Sequence, residues 1–321
     1  YASDFSSINS ILNNLSEDSK QRYRFYQCDL YDKNKISKII FDTKPDYIYH
    51  LAAESHVDRS INDPISFIKS NIIGTYNLIE ATRHYYQNLG FEKRKVFKFH
   101  HISTDEVFGS LTKNALPFNE NSNYDPSSPY SASKASSDHI VNAWHKTYNL
   151  PILVSNCSNN FGPWQFPEKL IPNIINLALQ DKKIPIYGNG KNIRDWLYVE
   201  DHVEALMIMA SKAKEGKRYC IGGGNQINNL DLCRLICKKL NILKPKECPY
   251  ERQIIFVEDR PGHDLRYEID YSLIKKDLDW YPEHKFSDGL DKTISWYLDN
   301  LVWLKKIKKK SNFTEERLGI I

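Results

Sequence analysis

The chain has 321 residues, 41% of them hydrophobic, enough for one large or two modest domains with a real core. Its 44 basic and 40 acidic residues leave a net charge of +4, which argues against nucleic-acid or membrane-surface binding. No apolar run reaches the roughly 18 residues of a membrane span, and no signal peptide or targeting segment is read. Six cysteines (Cys28, Cys157, Cys220, Cys233, Cys237 and Cys248) lack Cys-x-x-Cys or zinc-ribbon spacing, so reduced thiols, a cytoplasmic location and no metal site are expected.

In chain order, Ile8 to Leu15 reads as helical. Arg24 to Leu30 alternates and reads as a strand. Asp32 is placed to cap a helix running to about Asp42, and Tyr47 to Leu51 reads as a short buried strand. Ala52 and Ala53 follow. Small residues there permit either close approach of a ligand or tight helix–sheet packing. Asp63-Pro64 opens a long helix to about Tyr86. Its stripe of Ile65, Ile68, Ile72, Tyr76 and Ile79 packs on a sheet or on a partner.

Phe99 to Thr104 is apolar and reads as a strand whose carboxyl end lies at Ser103-Thr104, where open α/β sheets bind ligands. Asp105 and Glu106 come immediately after it. Pro129 is suited to be the first residue of a helix, which puts Tyr130 and Lys134 on one face. An ammonium beside a phenol favours the phenolate, and a phenolate can take a proton from a sugar hydroxyl. The spacing alone selects nothing, since Tyr31/Lys35, Tyr187/Lys191, Tyr271/Lys275 and Tyr281/Lys285 share it. The setting separates Tyr130 from these.

Pro151 to Val154 is the next strand, ending at Ser158-Asn159-Asn160, after which Pro163, Pro167 and Pro172 mark loops. Arg218 to Ile221 is a strand closed by Gly222-Gly223-Gly224, read as a turn. Asn229-Leu230-Asp231 caps a helix to about Leu240. Ile254 to Glu258 is a strand, and Phe286 to Leu290 opens the last helix. The Lys305 to Lys310 run reads as a solvated tail.

The segments Leu51-Ala-Ala-Glu-Ser-His-Val-Asp58, Ser103-Thr-Asp-Glu-Val-Phe-Gly109 and Tyr130-Ser-Ala-Ser-Lys134 closely resemble those of the extended short-chain dehydrogenases, and within them the nucleotide-sugar 4,6-dehydratases. So do Cys157 to Pro163, Phe166 to Pro172, Tyr187 to Trp196 and Asp259 to His263, so that the likeness spans Tyr1 to about Trp303. It implies a doubly wound parallel, Rossmann-like α/β sheet with a smaller C-terminal substrate lobe. The NAD-binding domain would cover 1–157, with 158–321 mainly substrate lobe and a return to the first near 194–212. The Gly-rich turn that opens such a sheet is not found in the chain. Tyr1-Ala2 look like the end of the segment after its second strand, so the chain reads as a fragment lacking the first strand, Gly-rich loop and helix.

The resemblance further implies roles. Thr104, Asp105, Glu106, Tyr130 and Lys134 would be catalytic. Asp29, Leu30, Leu51, Ala52, Ala53, Ser55, Ser70, Ser103 and Asn160 would join Tyr130 and Lys134 around NAD. Ser55, Thr104, Asn159, Lys169 and Leu170 would contact the sugar, Pro185, Ile186 and Tyr187 the nucleobase, and Arg194, Asn229, Arg260 and His263 the diphosphate. A homodimer through a four-helix interface is implied as well. Asn156, Phe108, Phe161 and Leu265 depart from the pattern, which commonly has Arg, Tyr, Tyr and Arg there. The implied reaction is dehydration of a nucleotide sugar, dTDP-glucose foremost. The alternatives are UDP-glucose or another nucleotide sugar, and a non-catalytic binding protein derived from such an enzyme.

Overall fold

Strands form where apolar, β-branched and aromatic residues run together, and helices where apolar residues recur every three or four positions. The computed structural model describes residues 4–310, so the reading of Tyr1-Ala2 lies outside the described residues. The strands are β1 (Tyr47–His50), β2 (Lys98–Thr104), β3 (Ile152–Cys157), β4 (Asn159–Phe161), β5 (Ile184–Tyr187), β6 (Ile193–Tyr198), β7 (Arg218–Ile221), β8 (Gln226–Asn228) and β9 (Ile254–Val257).

Strands β1, β2, β3 and β7 make a four-stranded sheet in the order β1-β2-β3-β7, parallel throughout. Side chains alternate across it. Phe99, Ile152 and Val154 meet Ile36, Ile79 and Val141 on one face. Ile102, Leu153, Tyr219 and Ile221 meet Leu206, Met209 and Ile274 on the other. Apolar cover on both faces is what a parallel sheet needs, and it makes the fold a doubly wound α/β sheet. The first face is covered by α1 (Lys33–Thr43), α2 and α3 (Pro129–Tyr148), the second by α4 (Val199–Lys212) and the short helix Ser272–Leu278. Helix α2 is composite: Pro64–Phe67 is α-helical, Ile68–Ile73 is π-helical, and Gly74–Gln87 is α-helical again.

A second core lies between the helices Leu170–Leu179, Asn229–Leu243 and Phe286–Asp299 and the strands β5 and β6. Here β5 pairs with β9, while β4, β6 and β8 form a three-stranded sheet. Because β4 follows β3 after one residue, the carboxyl end of the parallel sheet opens directly towards this second core.

Several expectations change. Arg24 to Leu30 forms no strand and belongs to no ladder, because no described strand stands at the outer edge of β1 to pair with it, and Phe25 and Tyr26 are exposed. For the same reason β1 is half-buried rather than buried, with only His50 fully covered. In the stripe of α2 only Ile79 is buried, whereas Ile65, Ile68 and Tyr76 are exposed. The helix Asn229–Leu243 is capped one residue earlier than expected, by Asn228, whose side chain accepts from the Asp231 amide. Phe286–Asp299 is not the last helix. Leu301–Lys310 follows it, and the lysine run lies on that amphipathic helix, whose Leu304 and Ile307 are buried.

The glycine triplet after β7 lies against β6, where the Gly223 and Asn225 amides donate to the buried Asp195 carboxylate. A Cβ on Gly223 would stand 1.9 Å from the Trp196 carbonyl oxygen. Gly223→Ala should therefore cost at least the ~1–3 kcal/mol typical of overpacking, read as a lower urea midpoint with an unchanged slope.

Candidate active site

The central strand β2 delivers its last residues to the carboxyl edge of the sheet. Thr104 leaves the ladder in an extended conformation, and its Oγ1 accepts from the Glu106 amide at 3.2 Å, starting the single 3-10 turn Asp105–Phe108. Gly109 ends that turn at φ +83, with the Asp125 carbonyl oxygen 2.3 Å from where a Cβ would be. No other residue fits there without moving backbone. The turn holds Asp105 inward at 1% exposure, its Oδ1 accepting from the Thr104 hydroxyl at 3.3 Å and its Oδ2 without a partner.

Helix α3 approaches the same point from the side. Ser128 and Ser131 form a capping box and Pro129 is the first helical residue, which fixes where the helix begins. Tyr130 and Lys134 then lie one turn apart, both buried. The Lys134 ammonium donates to the Ile102 carbonyl at 2.9 Å. Asn71, on the π-helical segment of α2, ties the arrangement together. Its amide group exchanges hydrogen bonds with both backbone groups of Glu54 at 2.8 and 2.9 Å, and donates to the Ser133 hydroxyl at 2.8 Å.

Burial dominates the electrostatics. It pushes the Asp105 carboxyl well above its usual range, and the neighbouring Glu106 adds to this. Glu106 is raised by burial too, but the charges of Arg260, Arg194 and Lys169 oppose the shift and favour its carboxylate. Both acids are thus raised towards the neutral form, Asp105 the further, while the cations around Glu106 restrain its shift. Tyr130 differs from expectation. Burial and Glu106 hold its phenol well above the usual range, and only the Thr104 hydroxyl counters them; Lys134 makes its hydrogen bond to the strand instead.

A cavity of about 220 Å³ opens beside Glu106. Of the predicted substrate residues, Ser55, Asn159, Lys169, Leu170, Pro185, Ile186, Tyr187, Arg194, Asn229, Arg260 and His263 line it, and Thr104 does not. They come from the loop after β1, from β4, from the start of Leu170–Leu179, from β5 and β6, and from the loop after β9. Arg194 Nη2, Arg260 Nε and the side-chain oxygens of Asn159 and Asn229 are buried there without partners. Lys169 donates to the Ser55 carbonyl at 2.6 Å, and His263, pushed down to about 4 by burial and then by Arg260, is neutral at neutral pH.

Of the predicted cofactor residues Ser55 lines this cavity, whereas Leu51, Ala52 and Ala53 follow β1 and Ser103 lies near the end of β2, at the carboxyl edge of the parallel sheet. Leu51 and Ala52 are exposed, Ala53 and Ser70 half-buried, and Ser103 is buried with its hydroxyl unpartnered. Asn160 accepts from His202 at 2.8 Å. Asp29 is exposed and accepts from the Tyr31 amide, and the Leu30 carbonyl accepts from Asn77.

Sequence reasoning missed Asp58. Its Oδ1 takes the Arg260 Nη1 hydrogen bond at 2.7 Å and its Oδ2 the Tyr187 hydroxyl at 2.8 Å, so one buried carboxylate braces two walls of the cavity. It stood at the end of a quoted motif, but its partners are far away in the chain. Asp264 was missed as well. It accepts from Ser127 at 2.6 Å and from Tyr267, whose ring lies 4.3 Å from the Arg194 guanidinium carbon.

Comparison with known proteins fits this geometry. A family model described as GDP-mannose 4,6 dehydratase matches residues 1–293. A dTDP-glucose 4,6-dehydratase of Shigella flexneri is 53% identical over 296 residues, 90% of this chain and 82% of that protein. The chain belongs to the dTDP-glucose 4,6-dehydratase family of extended short-chain dehydrogenases. Its dTDP-glucose 4,6-dehydratase relative in Neisseria meningitidis serogroup B is 48% identical over 323 residues, 99% of this chain and 89% of the relative. The dTDP-glucose 4,6-dehydratase of Streptomyces venezuelae, solved with NAD and TYD bound, superposes with a TM-score of 0.82 at 36% identity, covering 91% of this chain and 84% of that one. A UDP-glucose 4-epimerase of Thermotoga maritima reaches a TM-score of 0.76 at 26% identity, covering 90% and 87%. Dehydratases and epimerases therefore share the backbone, and the fold alone does not separate them.

The Asp105 shift has a consequence for stability. Its folded pKa lies above its unfolded one, so the folded state holds the extra proton and stability falls as pH rises through the unfolded value of about 4. Asp105→Asn should raise the unfolding free energy at neutral pH, with the gain vanishing below pH ~4. Urea titrations at several pH values measure it, and a pH-independent difference would contradict the assignment.

Proposed function

We propose that the protein converts dTDP-glucose to dTDP-4-keto-6-deoxyglucose and water, using NAD as a cofactor that is regenerated in each turnover. The observation that carries this reading is the adjacent, buried pair Asp105 and Glu106 at the end of β2 next to Tyr130, both raised by burial and Asp105 the further. An epimerase eliminates no water and has no use for such a pair.

The residues fit the cofactor. Leu51 and Ala52 are open at the end of β1, and the Ser103 hydroxyl is buried without a partner beside Lys134 and Tyr130 on the same edge. Asp29 and Leu30 are assigned to the adenine end. Bound NAD supplies a hydride acceptor, and later donor, on a ring that is cationic when oxidised. Tyr130, as the phenolate, would accept the proton of the C4 hydroxyl; burial and Glu106 oppose that form in the protein alone. Thr104 Oγ1 holds the C4 oxygen. Glu106, raised by burial but restrained by the charges of Arg260, Arg194 and Lys169, takes the C5 proton that the C4 ketone acidifies. Asp105, kept neutral by burial, donates to the C6 hydroxyl so that water leaves.

The unpartnered Arg194 and Arg260 donors support a diphosphate site, with Asn229 and His263 beside them. Pro185, Ile186 and Tyr187 form the nucleobase wall, and Ser55, Asn159, Lys169 and Leu170 the sugar end. No helix among the described residues is long and apolar enough to cross a membrane, and a cytoplasmic location is proposed with this biosynthetic role. The exposed Ile65, Ile68 and Tyr76 on α2 support a homodimer through that helix and α3.

Two experiments test the reading. In single turnovers of NAD-loaded protein with dTDP-glucose, Tyr130→Phe should abolish the NADH absorbance. Glu106→Gln and Asp105→Asn should still form NADH and a 4-keto hexose, but lose about 10²- to 10⁴-fold in water elimination. Either carboxyl variant dehydrating at the parental rate would remove the assignment. For assembly, Ile68→Asp should convert a dimer to a monomer in sedimentation velocity; an unchanged sedimentation coefficient would place the interface elsewhere.

A further inference from the structure

Below Thr104 and Lys134 lies a buried polar cluster that the reaction above does not use. Its centre is Asp138 on α3, with no exposed surface. Its carboxylate accepts from His101 Nε2 at 3.0 Å, from the Tyr124 hydroxyl at 2.6 Å and from Asn156 Nδ2 at 3.2 Å. His101 lies on β2, three residues before Thr104, and Asn156 on β3 donates from the same nitrogen to the Thr104 carbonyl at 3.0 Å. The cluster therefore grips both the reacting helix and the strand that ends in the reacting turn.

The charges are unusual. Burial would push Asp138 up, but the hydrogen bonds and the charge of Lys134 hold it down at about 2, so it is an anion. Burial pushes His101 down to about 4, so at neutral pH it is neutral, with Nε2–H the donor and Nδ1 unpartnered. None of the three donors then carries a full positive charge. Lys134 is buried, which lowers its hold on the proton against the opposing charge of Asp138, and its hydrogen bond goes to the neutral Ile102 carbonyl. It lies four residues before Asp138 on the same helix, which puts both on one face. The other groups facing Lys134 do not balance it. His50 on β1 and His101 on β2 are kept neutral by burial, the Cys157 thiol on β3 is pushed up to about 12, and the Tyr130 phenol is raised. An isolated buried ammonium would shed its proton, and one turn away is a carboxylate without a cationic donor.

We propose that Asp138 is a positioning residue that acts through Lys134: it is the buried counter-charge that keeps the Lys134 ammonium protonated, while its hydrogen bonds through His101 and Asn156 hold the end of β2 against α3. The proposal rests on Lys134 belonging to the reacting site. Its test needs neither cofactor nor turnover, so it succeeds or fails independently of the dehydratase reading.

The measurement is the titration of Lys134 in cofactor-free protein labelled in its lysine side chains, followed by NMR, with the signal assigned by its loss in Lys134→Met. In Asp138→Asn the Lys134 titration should move to lower pH by a unit or more, a tenfold change in its protonation equilibrium. Tyr124→Phe removes a donor to the same carboxylate but leaves the charge. It should lower the melting temperature while Lys134 titrates at the parental pH. A parental titration in Asp138→Asn, or an equal shift in Tyr124→Phe, would overturn the proposal. Should Asp138→Asn not fold, Asp138→Glu decides. Retained charge predicts a parental titration, and a fall of a unit or more would show that Lys134 does not depend on a carboxylate at that turn.

Discussion

Charge held out of water governs this molecule. At the carboxyl end of β2, Asp105, Glu106, Tyr130, Lys134 and Asp138 are withdrawn from solvent within one turn or two of each other. Each would pay a desolvation penalty of several kcal/mol if left ionised alone. The fold resolves this by giving each group a different surrounding. Asp105 is held towards its neutral form by burial and by Glu106 against the single opposing charge of Arg194, Glu106 faces two arginines and a lysine, and Lys134 and Asp138 sit one helical turn apart. The parallel sheet and its helices are the frame that fixes those distances.

The second lobe carries the same logic outward. Arg194 is buried and Arg260 half-buried, each with a buried donor unused, an arrangement that is costly in an empty pocket and favourable around an anion. Asp58 and Asp264 keep the two cations oriented meanwhile, Asp58 through a direct ion pair and Asp264 through its carbonyl. The cavity is thus preorganised by one carboxylate in its wall, that of Asp58, and one backbone carbonyl behind it, that of Asp264.

Much of this was legible in the chain. Strands β2 and β3, the start of α3 at Pro129 and the cap at Asp32 follow from local pattern, because the residues that set them are neighbours in sequence. What the sequence did not reveal depends on partners far along the chain. Arg24 to Leu30 has the alternation of a strand, yet a strand is made by its neighbour, and none is beside it among the described residues. Asp58 looked like one more acid of a polar motif, since Arg260 and Tyr187 are 202 and 129 positions away. The direction of the Tyr130 shift was missed because four-residue spacing reports proximity along a helix, whereas the ammonium is aimed at the Ile102 carbonyl and burial sets the sign.

The π-helical segment Ile68–Ile73 has a further consequence, for length. A π turn accommodates one residue more than an α turn, so every side chain after it is rotated relative to those before it. Here that offset lets Phe67 and Asn71 face inward while Thr75, Ile79 and Tyr85 keep their places against the sheet. Deleting one residue would restore regular α-helical bonding and yet swing one half of the helix off its contacts by about 100°. Although Ile68, Lys69 and Ile73 are exposed and tolerant positions by burial, this stretch should accept changes of residue identity far more readily than any change in residue number.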